Sequence, residues 1–108
     1  MDYKVTLTPQ AINQIHEVVT YISQTLQEPE IAKHWAGFLY KEISRLNFMP
    51  ARYPLMDEEP WRTNGIRKMP VKNFLVYYLI NEKSRTVSVT AVIYGRRDQL
   101  SALTEFID

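Results

Sequence analysis

Apolar side chains recur at helical spacing in the first half of the chain. In residues 9–26 and 29–49 they return every third or fourth position, which is typical of amphipathic helices. Thr8 and Pro9 suit the start of the first helix, because threonine caps it and proline loses nothing at the first helical position. The second helix should end near Met49, since the residue before Pro50 avoids helical geometry.

Strand patterns flank this helical region on both sides. Residues 3–7 and 86–93 alternate polar and apolar positions, which indicates half-buried strands. Residues 74–80 form a continuous apolar run, as in a strand covered on both faces. Residues 66–71 predict a further strand, and Pro70 indicates that it lies at an edge or an end of the sheet.

The predicted order is therefore β-α-α-β-β-β, with a short closing helix after residue 98. The simplest architecture is one α+β domain spanning residues 1–108, in which a helical hairpin packs on one face of a small, mostly antiparallel sheet. Residues 50–64 contain three prolines and an acidic stretch. They predict a loop of about 14 residues, and loops this long often carry function.

Charge is distributed unevenly along this plan. Residues 61–97 hold eight lysines and arginines against one acid, whereas residues 1–60 and 98–108 are each acidic by three charges. A basic segment of this kind indicates an anionic partner, such as a nucleic acid or an acidic protein segment. The alternative is a solvated basic surface with no partner.

The common catalytic and metal-binding patterns are missing. The chain has no cysteine and three glycines, which do not form a phosphate-binding loop. His16 and His34 fall on predicted helices and are interpreted as surface residues, and the stretch 57–59 is interpreted as an acidic loop rather than a cation site. We therefore expect no cofactor and no metal. The longest apolar run is far shorter than the roughly 20 residues of a membrane span, so we expect a cytoplasmic protein without membrane contact.

Two basic clusters remain as candidate chemistry. They are Gly65-Ile66-Arg67-Lys68 and Tyr94-Gly95-Arg96-Arg97-Asp98, the second at the end of a predicted strand. Guanidinium groups bind phosphates in a forked geometry and can stabilise charge that develops on a phosphoryl oxygen. The alternative for each arginine is a structural ion pair.

In order and spacing, several motifs resemble the RelE/ParE toxin superfamily over nearly the whole chain. They are Thr8-Pro9-Gln10-Ala11, Tyr21-Ile22, Pro54, Gly65-Ile66-Arg67-Lys68-Met69, Phe74-Leu75-Val76-Tyr77-Tyr78 and Val92-Ile93-Tyr94-Gly95-Arg96-Arg97-Asp98. The resemblance implies a helical hairpin on a small curved sheet. It also implies a toxin of a type II toxin–antitoxin system, associated with plasmid stabilisation and neutralised by a cognate antitoxin in a hetero-oligomer.

The resemblance leaves two targets open. RelE-like members cleave mRNA on the ribosome and tend to carry an arginine where this chain has Phe74, and many have a late Tyr or His where it offers Leu103 and Phe106. In that metal-independent nuclease, Arg67 and Arg97 would be catalytic and Tyr94 would act as acid or base. ParE-like members poison DNA gyrase by binding, and their ending resembles the stretch from Tyr94 to Asp98.

The ParE-like branch is the closer match, so we expect a gyrase inhibitor. Its target-binding candidates are Arg67, Lys68, Arg96 and Arg97. Ribosome-dependent mRNA cleavage is the alternative, and a degenerate relative that only binds an antitoxin is a third. For the antitoxin, the exposed helix faces and the sheet edge near Pro70 are the expected docking surfaces.

Overall fold

In the part of the chain that the structure describes, four strands and two α-helices form the fold. The computed structural model describes residues 2–72 and 74–94, except for the side chain of Tyr94. Strand β1 (Lys4–Leu7) precedes helix α1 (Pro9–Thr20) and helix α2 (Pro29–Ser44), and three strands follow, which are β2 (Arg67–Val71), β3 (Phe74–Asn81) and β4 (Thr86–Tyr94). The predicted α+β order is confirmed, while the predicted closing helix lies outside the described residues.

Both helices end earlier than their apolar patterns predict. Helix α1 gives way to a π-helical turn (Tyr21–Thr25), and α2 to a 3-10 turn (Arg45–Asn47). After α2, Met49 takes a left-handed conformation with φ of 48°. The Arg52 guanidinium donates to the carbonyl oxygens of Arg45, Phe48 and Met49, so it occupies acceptors that a longer helix would have used.

Helix α1 begins as predicted, with Thr8 as its cap. The Thr8 hydroxyl oxygen accepts a hydrogen bond from the Ala11 N–H at 3.2 Å. The same hydroxyl donates to the Thr90 carbonyl at 3.1 Å, and the Gln10 side chain donates to that carbonyl at 3.2 Å. The first turn of α1 is therefore attached to β4 at a single carbonyl.

A bulge in β4 creates this attachment point. The pairing with β3 shifts between Tyr77 and Tyr78, so that Ala91 lies opposite Tyr77 and Val89 opposite Tyr78. Thr90 is the extra residue. Beyond it, the Val92 N–H donates to the side-chain oxygen of Gln14 in α1, at 2.7 Å.

The sheet is mixed and open, with strand order β1-β4-β3-β2. Strands β2, β3 and β4 are antiparallel neighbours, and β1 pairs with β4 in parallel. The prediction of a mostly antiparallel sheet is confirmed. Strand β2 forms one edge, as Pro70 indicates, because proline has no N–H to donate to a neighbouring strand.

The hydrophobic core lies between the helices and one face of the sheet. On β3, Phe74, Val76 and Tyr78 are buried on this face, whereas Leu75 and Tyr77 on the opposite face are half-buried. The continuous apolar run therefore predicts more burial than the strand has. Among the residues that the structure describes, helices cover one face of the sheet, and the segment before β2 covers part of the opposite face.

The segment between α2 and β2 is more ordered than a proline-rich loop predicts. It contains a 3-10 turn (Pro50–Arg52) and an isolated antiparallel bridge between Leu55 and Arg67. The buried Tyr78 hydroxyl donates to the Pro50 carbonyl at 2.5 Å. These contacts attach the segment to both β2 and the core.

Candidate functional site

Arg67 lies on the helix-covered side of the sheet, at its edge. Residues two apart in a strand share a face, so Arg67 is on the same side as the buried Met69. Its guanidinium donates to the carbonyl oxygens of Ala51 at 3.3 Å and Tyr53 at 2.7 Å. Arg67 therefore makes hydrogen bonds to backbone carbonyls, where the structural alternative had been an ion pair. These bonds attach the α2–β2 segment to the sheet.

Lys68 lies on the opposite face, next to Arg67 in sequence but separated from it by the sheet. It pairs with Tyr77 across β2 and β3. The first basic cluster is thus divided between two faces. Of its two cations, Lys68 is on the side that the helices leave open.

The open face carries an apolar depression, which we call the open groove. It has a volume of about 360 Å³ and is lined by Gln10, Met56, Trp61, Ile66, Tyr77, Thr90, Ala91 and Ile93. Trp61 is 49% exposed, so a large aromatic surface borders the groove. This surface can hold an apolar or planar group, with Gln10 and Thr90 as its polar members.

A hydrogen-bonded turn places Trp61 beside the groove. The Arg62 N–H donates to the Glu58 carbonyl, and the Ile66 N–H donates to the Trp61 carbonyl, both at 3.0 Å. The Glu59 carboxylate accepts from the Thr63 N–H at 2.9 Å. The Thr63 hydrogen bond holds the pKa of Glu59 below its ordinary value, so this carboxylate is charged and engaged in the turn.

Tyr77 is the tyrosine that lines the groove. Burial raises the pKa of Tyr77, and the negative charge of Glu58 raises it further. A phenol with a raised pKa is a weak proton donor at neutral pH. Within residues 2–72 and 74–94, no His, Asp or Glu lines the groove beside it.

The second basic cluster begins where the described residues end. Tyr94 is the last residue of β4 and pairs with Phe74 of β3. Arg96 and Arg97 lie outside the described residues, as does the late-helix position of Phe106. The structure therefore places the backbone of Tyr94 at the end of a central strand and leaves the arginine predictions untested.

The remaining polar candidates stay apart from the groove. His16 and His34 are exposed on α1 and α2, as expected for surface residues. In the described part of the chain, His, Cys, Asp and Glu form no group of three that could hold a metal ion. In the same part, no helix is long and apolar enough to cross a membrane.

Sequence reasoning missed Trp61, Gln10 and the groove itself. Trp61 stands among prolines and acids in a segment without periodicity, so no pattern assigns its side chain to a face. Gln10 belongs to the helix-start motif, and its position beside Thr90 depends on the β4 bulge. For Tyr77 the sequence did contain a signal of its position, because successive residues of a strand point to opposite faces and its neighbours Val76 and Tyr78 both flank it.

Paired substitutions separate the two cations of the first cluster. Arg67→Ala is expected to lower the free energy of unfolding by about 1–3 kcal/mol, because it leaves two carbonyl oxygens without their charged donor. Lys68→Ala is expected to change it by less than about 0.5 kcal/mol, as for an ordinary surface residue. Urea denaturation measures both. An Arg67→Ala protein as stable as wild type would contradict the structural role.

Solved structures of toxins share this fold. The Pseudomonas aeruginosa ParDE structure superposes with a TM-score of 0.71 at 12% identity, covering 87% of this chain and 97% of that one. The Mycobacterium tuberculosis RelBE2 complex superposes with a TM-score of 0.63 at 19% sequence identity, covering 91% of this chain and 95% of that one. A mutant of Escherichia coli RelE in the free state superposes with a TM-score of 0.57 at 14% sequence identity, covering 100% of both chains.

Among the described residues, the helical hairpin on an open, mixed four-stranded sheet is thus the fold that the chain shares with these solved structures. The family described as the ParE toxin of the type II toxin–antitoxin system, parDE, matches residues 5–99. The chain belongs to this family and is a toxin of a type II toxin–antitoxin system. A comparison with curated proteins found no significant sequence match.

Proposed function

We propose that this toxin acts on DNA gyrase by binding rather than by catalysis. The observation that carries the proposal is the chemistry of the open face. Its groove is bordered by Trp61 and Tyr77, and in the described part of the chain no acid–base pair and no arginine line it. Binding an enzyme needs complementary surface, whereas cleaving RNA needs positioned acid–base groups worth roughly 10²–10⁴ in rate.

The position of Phe74 supports the same interpretation. Its side chain is 2% exposed and packs against Trp35 with ring centroids 5.5 Å apart. RelE-like members tend to carry an arginine at this point of the central strand. Here that position belongs to the hydrophobic core, so it offers no cation to an RNA backbone.

The proposed gyrase contacts are Lys68 on the open face together with Arg96 and Arg97 beyond β4. Arg67 contributes by holding the α2–β2 segment against the sheet. The net charge of residues 61–97 suits a partner with an acidic surface or bound DNA. The toxin is further proposed to be neutralised by a cognate antitoxin, as a member of a type II toxin family.

A supercoiling assay tests the target. Purified toxin is incubated with gyrase, ATP and relaxed plasmid, and both supercoiled and linear DNA are measured after detergent and protease treatment. We expect loss of supercoiling and accumulation of linear DNA. Unchanged supercoiling at toxin concentrations that stop translation and cleave message would overturn the proposal in favour of the ribosome-dependent nuclease, with Arg67, Arg97 and Tyr94 as its catalytic residues.

Matched charge removals test the proposed contacts in that assay. Lys68→Ala should raise the toxin concentration needed for half-inhibition severalfold. The double change Arg96→Ala with Arg97→Ala should raise it by more than about tenfold. Lys33→Ala removes the same charge from an exposed position on α2 and serves as the control. Equal inhibition by all four proteins would exclude these residues from the contact.

A further inference from the structure

Trp61 is a half-exposed aromatic side chain on a turn whose backbone is fixed on both sides. Within the turn, the Asn64 N–H donates to the Pro60 carbonyl at 3.1 Å and the Gly65 N–H to the Arg62 carbonyl at 3.0 Å. Gly65 closes the turn with a φ of 81°, a left-handed conformation that favours glycine. The backbone that carries Trp61 therefore has little freedom left to lose when a partner covers its ring.

The fold itself does not use this tryptophan. Trp61 belongs neither to the hydrophobic core nor to the side chains that pack against it. Within the described part of the chain, the aromatic contacts are those of Trp35 with Phe38 and Phe74. A large ring that stays exposed beside an apolar groove is typical of an interaction surface. Its removal should therefore weaken binding and leave the fold intact.

Charge is confined to the border of the open groove. Lys68 pairs directly with Tyr77, and directly opposed residues of two strands share a face, with Cβ atoms about 4.5–5.5 Å apart. Since Tyr77 lines the groove, Lys68 borders it. Glu58, in the turn that carries Trp61, is close enough to act on Tyr77 electrostatically. No charged side chain lines the groove among the described residues, so a group that enters it meets charge at the border.

We propose that Trp61 is the anchor of the contact with gyrase, and that the open groove receives an apolar side chain from a gyrase segment that carries an acidic residue beside it. This rests on the proposed action on gyrase and adds the chemistry of the segment that is bound. The apolar side chain packs on Trp61 and Tyr77, and the acidic residue pairs with Lys68. At about 360 Å³, the groove is near the lower end of the about 300–1,000 Å³ of ligand pockets, so it holds side chains rather than a whole helix.

Charge favours this partner over a second copy of the chain. Residues 61–97 hold eight lysines and arginines against one acid, and two copies joined through their open faces would bring these segments together. Like charges that meet across an interface oppose association. An acidic residue of gyrase instead complements Lys68. The Glu58 carboxylate would repel that acid on its own side, which gives the contact a direction.

Matched removals of exposed rings give the first test. Trp61→Ala removes the proposed anchor, whereas Phe48→Ala removes a ring that is 56% exposed on the turn after α2. We expect Trp61→Ala to raise the toxin concentration for half-inhibition, and the Kd for the gyrase holoenzyme, by at least about tenfold. Phe48→Ala should leave both unchanged, and both variants should unfold at the same urea concentration as wild type. Equal half-inhibition by the two variants would overturn the proposal.

Charge reversal tests the acidic residue of the bound segment. Lys68→Gln removes the cation, whereas Lys68→Glu also brings a negative charge to the border of the groove. We expect Lys68→Glu to inhibit gyrase severalfold more weakly than Lys68→Gln, and the difference to shrink as salt is added. Equal inhibition by the two variants at low salt would overturn the assignment of an acidic segment.

Hydroxyl-radical labelling of the unmodified toxin gives a third test, which does not depend on the folding of any variant. We expect oxidation of Trp61 and Met56, which line the groove, to fall severalfold when gyrase holoenzyme is added. Oxidation of Met49, which is 59% exposed on the turn after α2, should stay constant. Unchanged oxidation of Trp61 in the complex would overturn the proposal.

The same labelling of the toxin alone identifies other occupants of the groove. Oxidation of Trp61 that slows as the toxin concentration rises would show that a second copy covers the groove. Oxidation that is slow at every concentration would show that the toxin covers its own groove. Either result would overturn the proposal, which expects fast oxidation of Trp61 at all toxin concentrations.

The outcomes also distinguish this proposal from the proposed function. Wild-type toxin that neither binds gyrase nor changes supercoiling would overturn both. Wild-type toxin that inhibits gyrase, together with a Trp61→Ala variant that inhibits equally, would overturn the anchor alone. Lys68, Arg96 and Arg97 would then remain the proposed gyrase contacts.

Discussion

Phe74→Arg is expected to unfold the protein rather than convert it to a nuclease. The change restores the arginine typical of RelE-like members, but Phe74 is 2% exposed and contacts Trp35 in the core. Loss of the buried ring costs about 3–5 kcal/mol. The unpaired guanidinium adds a desolvation penalty. The summed loss approaches the free energy of unfolding of a typical native protein, which is about 5–15 kcal/mol.

Circular dichroism and urea denaturation measure this effect, with Phe74→Leu as the matched control. Leucine keeps an apolar side chain at the site, so we expect a loss of only about 1–2 kcal/mol and unchanged toxicity. A folded Phe74→Arg protein that cleaves message on ribosomes would contradict the prediction. It would mean that the start of β3 can present a cation to solvent, and it would favour the nuclease hypothesis.

Tyr78 is expected to make the protein sensitive to alkali. Burial raises the pKa of Tyr78 to about 12, although Arg67 and Arg52 act to lower it. The folded state therefore holds this proton more tightly than the unfolded state, whose tyrosines titrate near their ordinary pKa of about 10. The contribution of this proton to the free energy of unfolding is complete below about pH 10. It is lost as the pH rises toward 12, and the whole loss is about 3 kcal/mol.

Tyr78→Phe separates this titration from the hydrogen bond. At pH 8 the variant should be less stable by about 1–3 kcal/mol, because the buried Pro50 carbonyl loses its donor. Between pH 10 and 12 its stability should fall less steeply than that of wild type. Tyr77→Phe is the control on the open face, and its change at pH 8 should be smaller. Parallel pH profiles for Tyr78→Phe and wild type would contradict the assignment.

Local patterns identified most of the elements of this fold. The Thr8-Pro9 start, the two apolar stripes and the alternation in residues 86–93 each depend on neighbours a few positions apart. That information is present in the sequence itself. The end of α2 was predicted less well, because Met49 takes a left-handed conformation and Arg52, from further along the chain, donates to carbonyls of the turn that follows the helix.

The family, too, could be read from motif order, since the sequence matches it over residues 5–99. The motifs could not assign faces to the site residues. Arg67 and Lys68 are adjacent in a cluster that reads as one basic surface, yet the strand directs them to opposite sides of the sheet. Only the packing of residues 51–53 against β2 identifies Arg67 as a donor to backbone carbonyls.

By itself, then, the sequence determined the elements, the α+β class and the toxin family, because these depend on periodicity, turn chemistry and motif order. Tertiary structure decided the pairing of β1 with β4, the open groove, and the placement of Arg67 and Lys68 on opposite faces of the sheet. These features depend on contacts between residues as many as 82 positions apart, such as Thr8 with Thr90. No local pattern records such contacts, since they form only when burial of the core brings distant strands together.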